Sequence, residues 1–258
     1  MSNTENVLKT IEARAGKGSV LAVVRLLRET PTGSVTVTVC DNEIFPTLDD
    51  SKLSHELVAS VRALINSGRA TELADVVDEN GSSVRLAIEV VKPKLELIIF
   101  GAGHVGQATG LIAAIMGYDV TVVDDREEFA ARSRFPDPRI NLLACDYGSA
   151  AERLNISTST AVVIVTRGHQ YDELCLKNVI GSSADYIGMI GSRKRVLSVF
   201  KKLASEGVSE RDLERVHAPI GLRIGARSPQ EIAVSILAEI IDHVNNPDHK
   251  DKGERNGI

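Results

Sequence analysis

The chain of 258 residues contains no tryptophan, only 3% aromatic residues and only three cysteines. With so few aromatic side chains, its core has to be built from Val, Ile, Leu and Ala, a composition typical of parallel strands covered by helices on both faces. Cys40, Cys145 and Cys175 are far apart and form no Cys-x-x-Cys pair, which argues against a disulfide framework or a zinc knuckle. We expect all three cysteines to be buried, unreactive thiols.

The chain also lacks a net positive charge and long apolar runs. Its net charge is −5 and its pI is about 5.7, which argues against nucleic-acid binding because that activity needs a basic surface. No apolar run approaches the roughly 18–20 residues that span a bilayer. The start, MSNTENVLKT, lacks the basic-then-apolar order of a signal peptide. We therefore expect a cytoplasmic protein that binds neither nucleic acid nor membrane.

Residues 1–93 predict a small α+β domain. The apolar spacing predicts strands over 19–27, 34–40 and 83–91, and a helix that begins near Leu53, continues through Ile65 and ends at Gly68. ETPTG, residues 29–33, has the turn residues of a hairpin between the first two strands. KPK, residues 92–94, is the expected linker.

Residues 94–245 alternate between strand and helix, which predicts a Rossmann-like parallel sheet. The candidate strands are 95–100, 119–124, 140–145, 160–166 and 186–190. The last helix has a clear start: Ser228 as N-cap, Pro229 at the first helical position and Glu231 completing a capping box. The fold class is therefore α/β, with this domain preceded by the small α+β domain. Residues 246–258 are predicted to be a polar tail.

The most informative local motif is GAGHVGQATG, residues 101–110, directly after a predicted strand. Gly101 allows a tight turn, Gly103 allows the backbone to approach a phosphate, and Gly106 allows close packing of helix and sheet. The helix that follows directs free N–H groups at an anion. Asp124 lies at the end of the next strand, where an acid commonly accepts a hydrogen bond from a ribose hydroxyl. The alternative is a turn retained only for packing.

A second anion site is indicated by GMIGSRKRV, residues 188–196. Arg193, Lys194 and Arg195 would stand in the first turn of a helix, where the helix dipole disfavours cations, so a bound anion would explain them. A solvated basic face is an equal alternative. His104 and His169 follow strand ends and could face the same ligand. His217 is expected to order a loop, and neither a metal site nor a catalytic residue is predicted.

Five motifs occur in an order that resembles the xanthine dehydrogenase accessory factor (XdhC) family. They are FGAGHVGQA, VDDREEFA with RFPD, VTRGHQYDE, YIGMIGSRKR and HAPIGLRIGARSPQEIAVSILAEI. The resemblance covers about residues 95–243. It implies a non-catalytic maturation factor that binds molybdenum cofactor and helps to insert the sulfurated cofactor into xanthine dehydrogenase-type molybdenum hydroxylases.

The resemblance also implies a ligand site and partners. The expected cofactor-binding residues are Gly101, Ala102, Gly103, His104, Val105, Gly106, Asp124, Asp125, Arg126, Thr166, Arg167, Gly168, His169, Gly191, Ser192, Arg193 and Lys194. The expected partners are a molybdenum hydroxylase, a cysteine desulfurase and a second copy of the chain.

The N-terminal part departs from the family pattern. RETPTGSV, residues 28–35, resembles a remnant of a Gly-Ser-x-Pro segment, but DDSKLSHEL, residues 49–57, stands where a Gly-Gly-Cys-x-Glu segment is expected. If that cysteine handles sulfur, this chain lacks the activity.

Two other functions stay open at this point. The glycine motif with Asp124 also fits an NAD-dependent oxidoreductase, although no Tyr-x-x-x-Lys proton-relay pair accompanies it. A regulatory module that senses NAD or ATP without turnover is the third hypothesis.

Overall fold

The computed structural model describes residues 20–27, 35–40, 43–45, 48, 50–67, 69–91 and 94–246. Within it the chain divides into two compact units, Met1–Pro93 and Lys94–Ile258. The predicted hairpin turn, the helix stop at Gly68 and most of the polar tail lie outside the described residues.

The described residues of the N-terminal unit form an antiparallel sheet and one long helix. Its elements are β1 (Leu21–Leu27), β2 (Val35–Cys40), β3 (Glu43–Phe45), α1 (Ser51–Asn66), β4 (Thr71–Val77) and β5 (Ser83–Val91). The strand order is β3-β2-β1-β5-β4. Helix α1 begins where the Asp50 carboxylate accepts a hydrogen bond from the Leu53 N–H at 2.7 Å. Its buried face packs on the buried face of the sheet.

The C-terminal unit contains a parallel sheet, as predicted, with six strands where the sequence predicted five. Its strands are β6 (Glu96–Phe100), β7 (Asp119–Asp124), β8 (Asn141–Ala144), β9 (Thr160–Ile164), β10 (Tyr186–Met189) and β11 (Val216–His217). The order across the sheet is β11-β10-β9-β6-β7-β8. This is the Rossmann order, in which β6 and β9 are central neighbours and the chain leaves them in opposite directions.

Two layers of helices cover this sheet. The α-helices are α2 (His104–Ile115), α3 (Tyr147–Ala150), α4 (His169–Val179), α5 (Arg193–Ser205), α6 (Glu210–Glu214) and α7 (Pro229–Asn245). Leu97 and Ile99 of β6 pack in one core with α2 and α7. Ile98 and Phe100 pack in the other core with α3, α4, α5 and α6. Because successive residues of a strand face opposite sides, the apolar run of β6 is buried on both.

The topology positions a crevice at the carboxyl ends of β6 and β9. The β6–α2–β7 crossover lies on one face and the β9–α4–β10 crossover on the other, so α2 and α4 diverge from neighbouring strands. In open parallel sheets, ligands bind at such a switch point. The α/β fold class predicted from the sequence is confirmed.

Candidate functional site

The glycine loop between β6 and α2 uses its glycines in different ways. Gly101 has φ +108°, and a Cβ there would lie 2.5 Å from the Val165 carbonyl oxygen of the neighbouring strand end. At Gly106 a Cβ would lie 1.8 Å from the Gly101 carbonyl oxygen. Gly103 differs, because a Cβ there would meet no atom within 4 Å. The first two glycines are required by the fold, while Gly103 borders open space.

The start of α2 and the start of α4 lack side-chain caps. The N-cap of α2 is Gly103 and that of α4 is Gly168, and neither helix has a capping hydrogen bond from a side chain. The remaining α-helices of the described residues are all capped by a side chain: Asp50 for α1, Asp146 for α3, Ser192 for α5, Ser209 for α6 and Ser228 for α7. The two uncapped helix starts follow the two central strands, so their N–H groups are left for an anion.

Asp124, at the end of β7, braces the glycine loop from below. Its carboxylate is fully buried and accepts hydrogen bonds from the Ala102 N–H at 2.7 Å, from the Arg126 N–H and from the Arg126 guanidinium. Burial opposes the charge, but the bonds from Arg126 and Ala102 outweigh it, so the pKa of Asp124 lies below its ordinary value. Both carboxylate oxygens accept hydrogen bonds from the protein itself. In this arrangement Asp124 does not present a free oxygen to a ribose hydroxyl, the contact expected from the sequence.

The residues beside Asp124 join β7 to the end of β9. The Arg167 guanidinium donates to the Asp125 carboxylate at 2.8 Å and to the Tyr171 hydroxyl at 3.2 Å. The Arg126 guanidinium lies 3.4 Å above the centre of the Phe129 ring, a cation–π contact. These contacts bring predicted site residues of two separate motifs together. They also involve Phe129 and Tyr171, which our sequence analysis did not assign to the site.

A buried polar chain links the end of β9 to the start of α5. The Thr166 hydroxyl donates to the Asp172 carboxylate, which forms an ion pair with the Arg195 guanidinium. Arg195 is therefore partly buried and paired with a carboxylate, whereas Arg193 and Lys194 are exposed. The side chain of His169 lies outside the described residues, and only its position at the start of α4 is defined.

Two clefts border the predicted site. One, of about 570 Å³, lies between α4 and α5 and is lined by residues that include Ser192, Lys194 and Lys202. Lys202 pairs there with Glu173 at 2.5 Å, so part of the positive charge is compensated. The other cleft, of about 340 Å³, lies between the starts of α2 and α7. His104 lines this second cleft, which places it beside α7.

The remaining histidine of interest, His217, belongs to a buried network. Its Nδ1 lies 3.2 Å from the Glu239 carboxylate, which also accepts from the Tyr186 hydroxyl at 2.8 Å and from the Gly221 N–H at 2.6 Å. Burial opposes the charge, but the bonds from His217 and Gly221 outweigh it and lower the pKa of Glu239. In this position His217 helps to hold the loop before α7.

Within the described residues, the crevice contains neither a reactive thiol nor a cluster of metal-binding side chains. Cys40 and Cys175 are buried, and burial raises the pKa of both Cys145 and Cys175. No cluster of three or more His, Cys, Asp or Glu residues that could hold a metal ion occurs in the described ranges. No helix in the described part of the chain has both the length and the apolar character needed to cross a bilayer.

The strand order, the glycine loop and the uncapped helices define a Rossmann-fold unit of the kind that binds phosphate-bearing ligands. Residues 97–240 match the XdhC Rossmann domain, and the chain belongs to that family.

Three curated relatives contain a matching region. The chain is 35% identical over 71% of its length to the uncharacterized protein YqeB of Escherichia coli, of which it covers 34%. It is 32% identical over 62% of its length to a probable xanthine dehydrogenase subunit of Bacillus subtilis, covering 46% of that protein. It is 27% identical over 58% of its length to the E. coli molybdenum cofactor insertion chaperone PaoD, covering 40%. The chain thus spans less than half the length of each.

A solved structure shares the fold. It is the crystal structure of a xanthine dehydrogenase from Bacillus halodurans, with a TM-score of 0.69 and 23% identity. The match covers 99% of this chain and 71% of the other.

Proposed function

We propose that this protein binds molybdenum cofactor and helps to insert it into xanthine dehydrogenase-type molybdenum hydroxylases. The family match and the sequence similarity to a cofactor insertion chaperone support the role of an accessory protein rather than an enzyme. The structural observation that carries the proposal is the pair of uncapped helix starts beside β6 and β9. An anion placed there gains hydrogen bonds and a favourable helix dipole, and the phosphate of molybdopterin supplies such an anion.

The residues present fit a phosphate-bearing ligand at the glycine loop. Open space beside Gly103 would give the phosphate access to backbone N–H groups, and Gly168 supplies no side-chain cap to the first N–H groups of α4. In this proposal the backbone grips the phosphate, while Asp124 holds the loop in shape and Arg167 lies at the rim. Arg193, Lys194 and Ser192 would contact the ligand from the start of α5.

Several finer parts of the proposal rest on the family relationship. The enzyme that receives the cofactor is a molybdenum hydroxylase. The cofactor is delivered in sulfurated form, with a cysteine desulfurase as the second partner. The protein acts in the cytoplasm as a homodimer. The segment 49–57 lacks the cysteine expected for sulfur handling. We therefore place sulfur transfer on the desulfurase rather than on this segment.

The experiment is equilibrium binding of purified apo-protein to molybdenum cofactor, with NAD⁺ and NADH titrated in parallel. Purification from a molybdate-fed host, followed by a measurement of pterin fluorescence, gives an independent readout. We expect tight pterin binding and negligible nicotinamide affinity. Binding of nicotinamide alone would contradict the proposal and favour an oxidoreductase.

The oxidoreductase stays as a second candidate because of the glycine loop and the strand order. Its weakness is Asp124, the residue positioned for a ribose, whose carboxylate is buried and saturated with hydrogen bonds. A nucleotide sensor without turnover has the same weakness.

A further inference from the structure

Arg134, in the segment between β7 and β8, holds the glycine loop and α2 together. Its guanidinium donates to the Ala102 carbonyl oxygen and to the Gln107 side-chain oxygen, each at 2.9 Å. Gln107 in turn donates to the Arg134 carbonyl oxygen at 2.8 Å. The guanidinium also lies 4.6 Å from the centre of the Phe129 ring. Three contacts therefore position the partly buried guanidinium beside the loop that is proposed to bind phosphate, and a fourth holds the Arg134 backbone.

No carboxylate of the described residues compensates the charge of Arg134, whereas three other arginines around the crevice form ion pairs. Arg126 pairs with Asp124, Arg167 with Asp125 and Arg195 with Asp172. Among the described residues, no carboxylate lies within ion-pair distance of Arg134. A partly buried charge without a counter-ion is unfavourable. An anion bound beside the glycine loop would offset this cost.

The hydrogen-bonding capacity of Arg134 is also incompletely used. A guanidinium has five N–H donors, and the two protein bonds are both made by one terminal nitrogen. The Nε atom is buried and has no hydrogen-bond partner, although buried donors in folded proteins nearly always have one. The other terminal nitrogen, Nη1, makes no hydrogen bond to the described residues and keeps two N–H donors for a charge-assisted contact with a phosphate oxygen.

We propose that Arg134 binds the phosphate group of the ligand at the start of α2 and supplies a positive charge at the glycine loop. The inference rests on the proposed function for the identity of the ligand, but the phosphate contact itself does not depend on the pterin. Arg134 would select phosphorylated over dephosphorylated ligands, while the backbone of the glycine loop contributes the remaining contacts.

The test compares Arg134→Gln and Arg134→Lys with the matched control Arg132→Gln. Arg132 lies in the same segment, is exposed, and donates only to the Asp137 carbonyl oxygen at 2.9 Å. The probes are molybdenum cofactor, the same preparation after phosphatase treatment, and inorganic pyrophosphate. Thermal unfolding of each variant shows whether it is folded.

We expect Arg134→Gln to weaken cofactor and pyrophosphate binding by about ten- to a hundredfold, the usual size of a charge-assisted contact. Affinity for the phosphatase-treated cofactor should be unchanged. Arg134→Lys, which keeps the charge but loses the hydrogen bonds that position the guanidinium, should lie between Arg134→Gln and the unmodified protein. Arg132→Gln should bind as the unmodified protein does.

Other outcomes separate the two proposals. Equal losses of affinity for treated and untreated cofactor would make Arg134 a structural brace and overturn the inference, as would pyrophosphate binding that Arg134→Gln leaves intact. If the unmodified protein binds pyrophosphate through Arg134 but no pterin, the phosphate contact stands and the cofactor proposal fails. Failure to bind any probe would overturn both.

Discussion

The glycines of the β6–α2 loop have separable roles, because a side chain at each would meet different surroundings. A Cβ at Gly106 would overlap the Gly101 carbonyl oxygen, at 1.8 Å, whereas a Cβ at Gly103 would meet nothing within 4 Å. The fold therefore depends on Gly106, and the proposed ligand contact depends on Gly103.

We expect Gly106→Ala to lower the free energy of unfolding by more than about 2 kcal/mol, since backbone atoms would have to move. Gly103→Val should change it by less than about 1 kcal/mol while abolishing pyrophosphate and cofactor binding, because the side chain occupies the space a phosphate needs. Urea denaturation and equilibrium binding check the two effects. Unchanged affinity in Gly103→Val would place the ligand elsewhere.

Asp124 makes a prediction about pH. Burial opposes its charge, but the hydrogen bonds from Arg126 and Ala102 lower its pKa below the ordinary value of 3.8. A lowered carboxyl pKa stabilises the fold above the unfolded-state value, and the stabilisation is lost as pH falls through the folded-state value.

At neutral pH, Asp124→Asn should lower the free energy of unfolding by about 3 kcal/mol, since the buried partner of Arg126 loses its charge. The difference from the unmodified protein should be constant between about pH 7 and 5 and become smaller as the pH falls to about 3. Urea denaturation of both proteins at these pH values measures it. A difference that is independent of pH down to pH 3 would show that the ionised form of Asp124 does not stabilise the fold.

At the residue level, sequence alone identifies glycines better than it identifies charge partners. Gly101 and Gly106 are required by the local geometry of the turn. The spacing of the glycine motif therefore predicts them. The ion pair between Asp172 and Arg195 joins two helices, so no local pattern reveals that Arg195 faces inward. Arg134 was missed for the same reason, because its contact with Ala102 spans 32 residues.

Among the elements, the uncapped start of α4 is a position where a substitution is expected to affect stability and ligand binding in opposite directions. Gly168 has extended backbone angles, φ −155° and ψ 152°, which serine adopts easily. A Cβ there would be 3.4 Å from the Tyr171 ring, an ordinary contact. A serine hydroxyl could therefore cap the helix without strain.

We expect Gly168→Ser to stabilise the protein by a few tenths of a kcal/mol and to weaken pyrophosphate binding about three- to tenfold, because the hydroxyl competes for the same N–H groups. The control is Ser228→Ala, which removes the cap of α7 and should cost about 1 kcal/mol without changing affinity. Thermal unfolding and calorimetric titration measure both effects. Pyrophosphate affinity that Gly168→Ser leaves unchanged would show that the start of α4 is not an anion site.

The strength of a local sequence signal decides which elements could be predicted. The helix that became α7 was predicted from its capping box, which the structure contains: the Ser228 hydroxyl accepts from the Glu231 N–H and the Glu231 carboxylate accepts from the Ser228 N–H. Strand β4 was not predicted, because it buries only Val76 and pairs at the edge of its sheet. The two-residue strand β11 is too short to leave any periodic pattern.

On the scale of the whole molecule, each unit has its own hydrophobic core. One core cluster lies entirely within residues 20–90, and two others lie within residues 95–244. Whether the two units are independent domains, with the boundary at residue 94, is still a prediction.

We expect a fragment of residues 94–258 to unfold cooperatively on its own and to bind pyrophosphate as the full chain does, because every residue proposed to contact phosphate belongs to it. Circular dichroism during thermal unfolding and the same titration test this. A fragment that shows no cooperative transition would mean that the N-terminal unit is required for folding. A folded fragment that lacks pyrophosphate affinity would mean that it is required for binding.

The central position of β6 has a consequence for synthesis on the ribosome. Strand β6 and the glycine loop emerge early, but β9, their neighbour in the sheet, lies some sixty residues further along, and the loop rests on the Val165 carbonyl at its end. Until β9 has emerged and paired, the nascent chain displays a glycine loop with one wall missing. If the glycine loop binds the cofactor as proposed, capture has to follow the pairing of β9 with β6, and a nascent chain that ends before residue 165 should not retain the ligand.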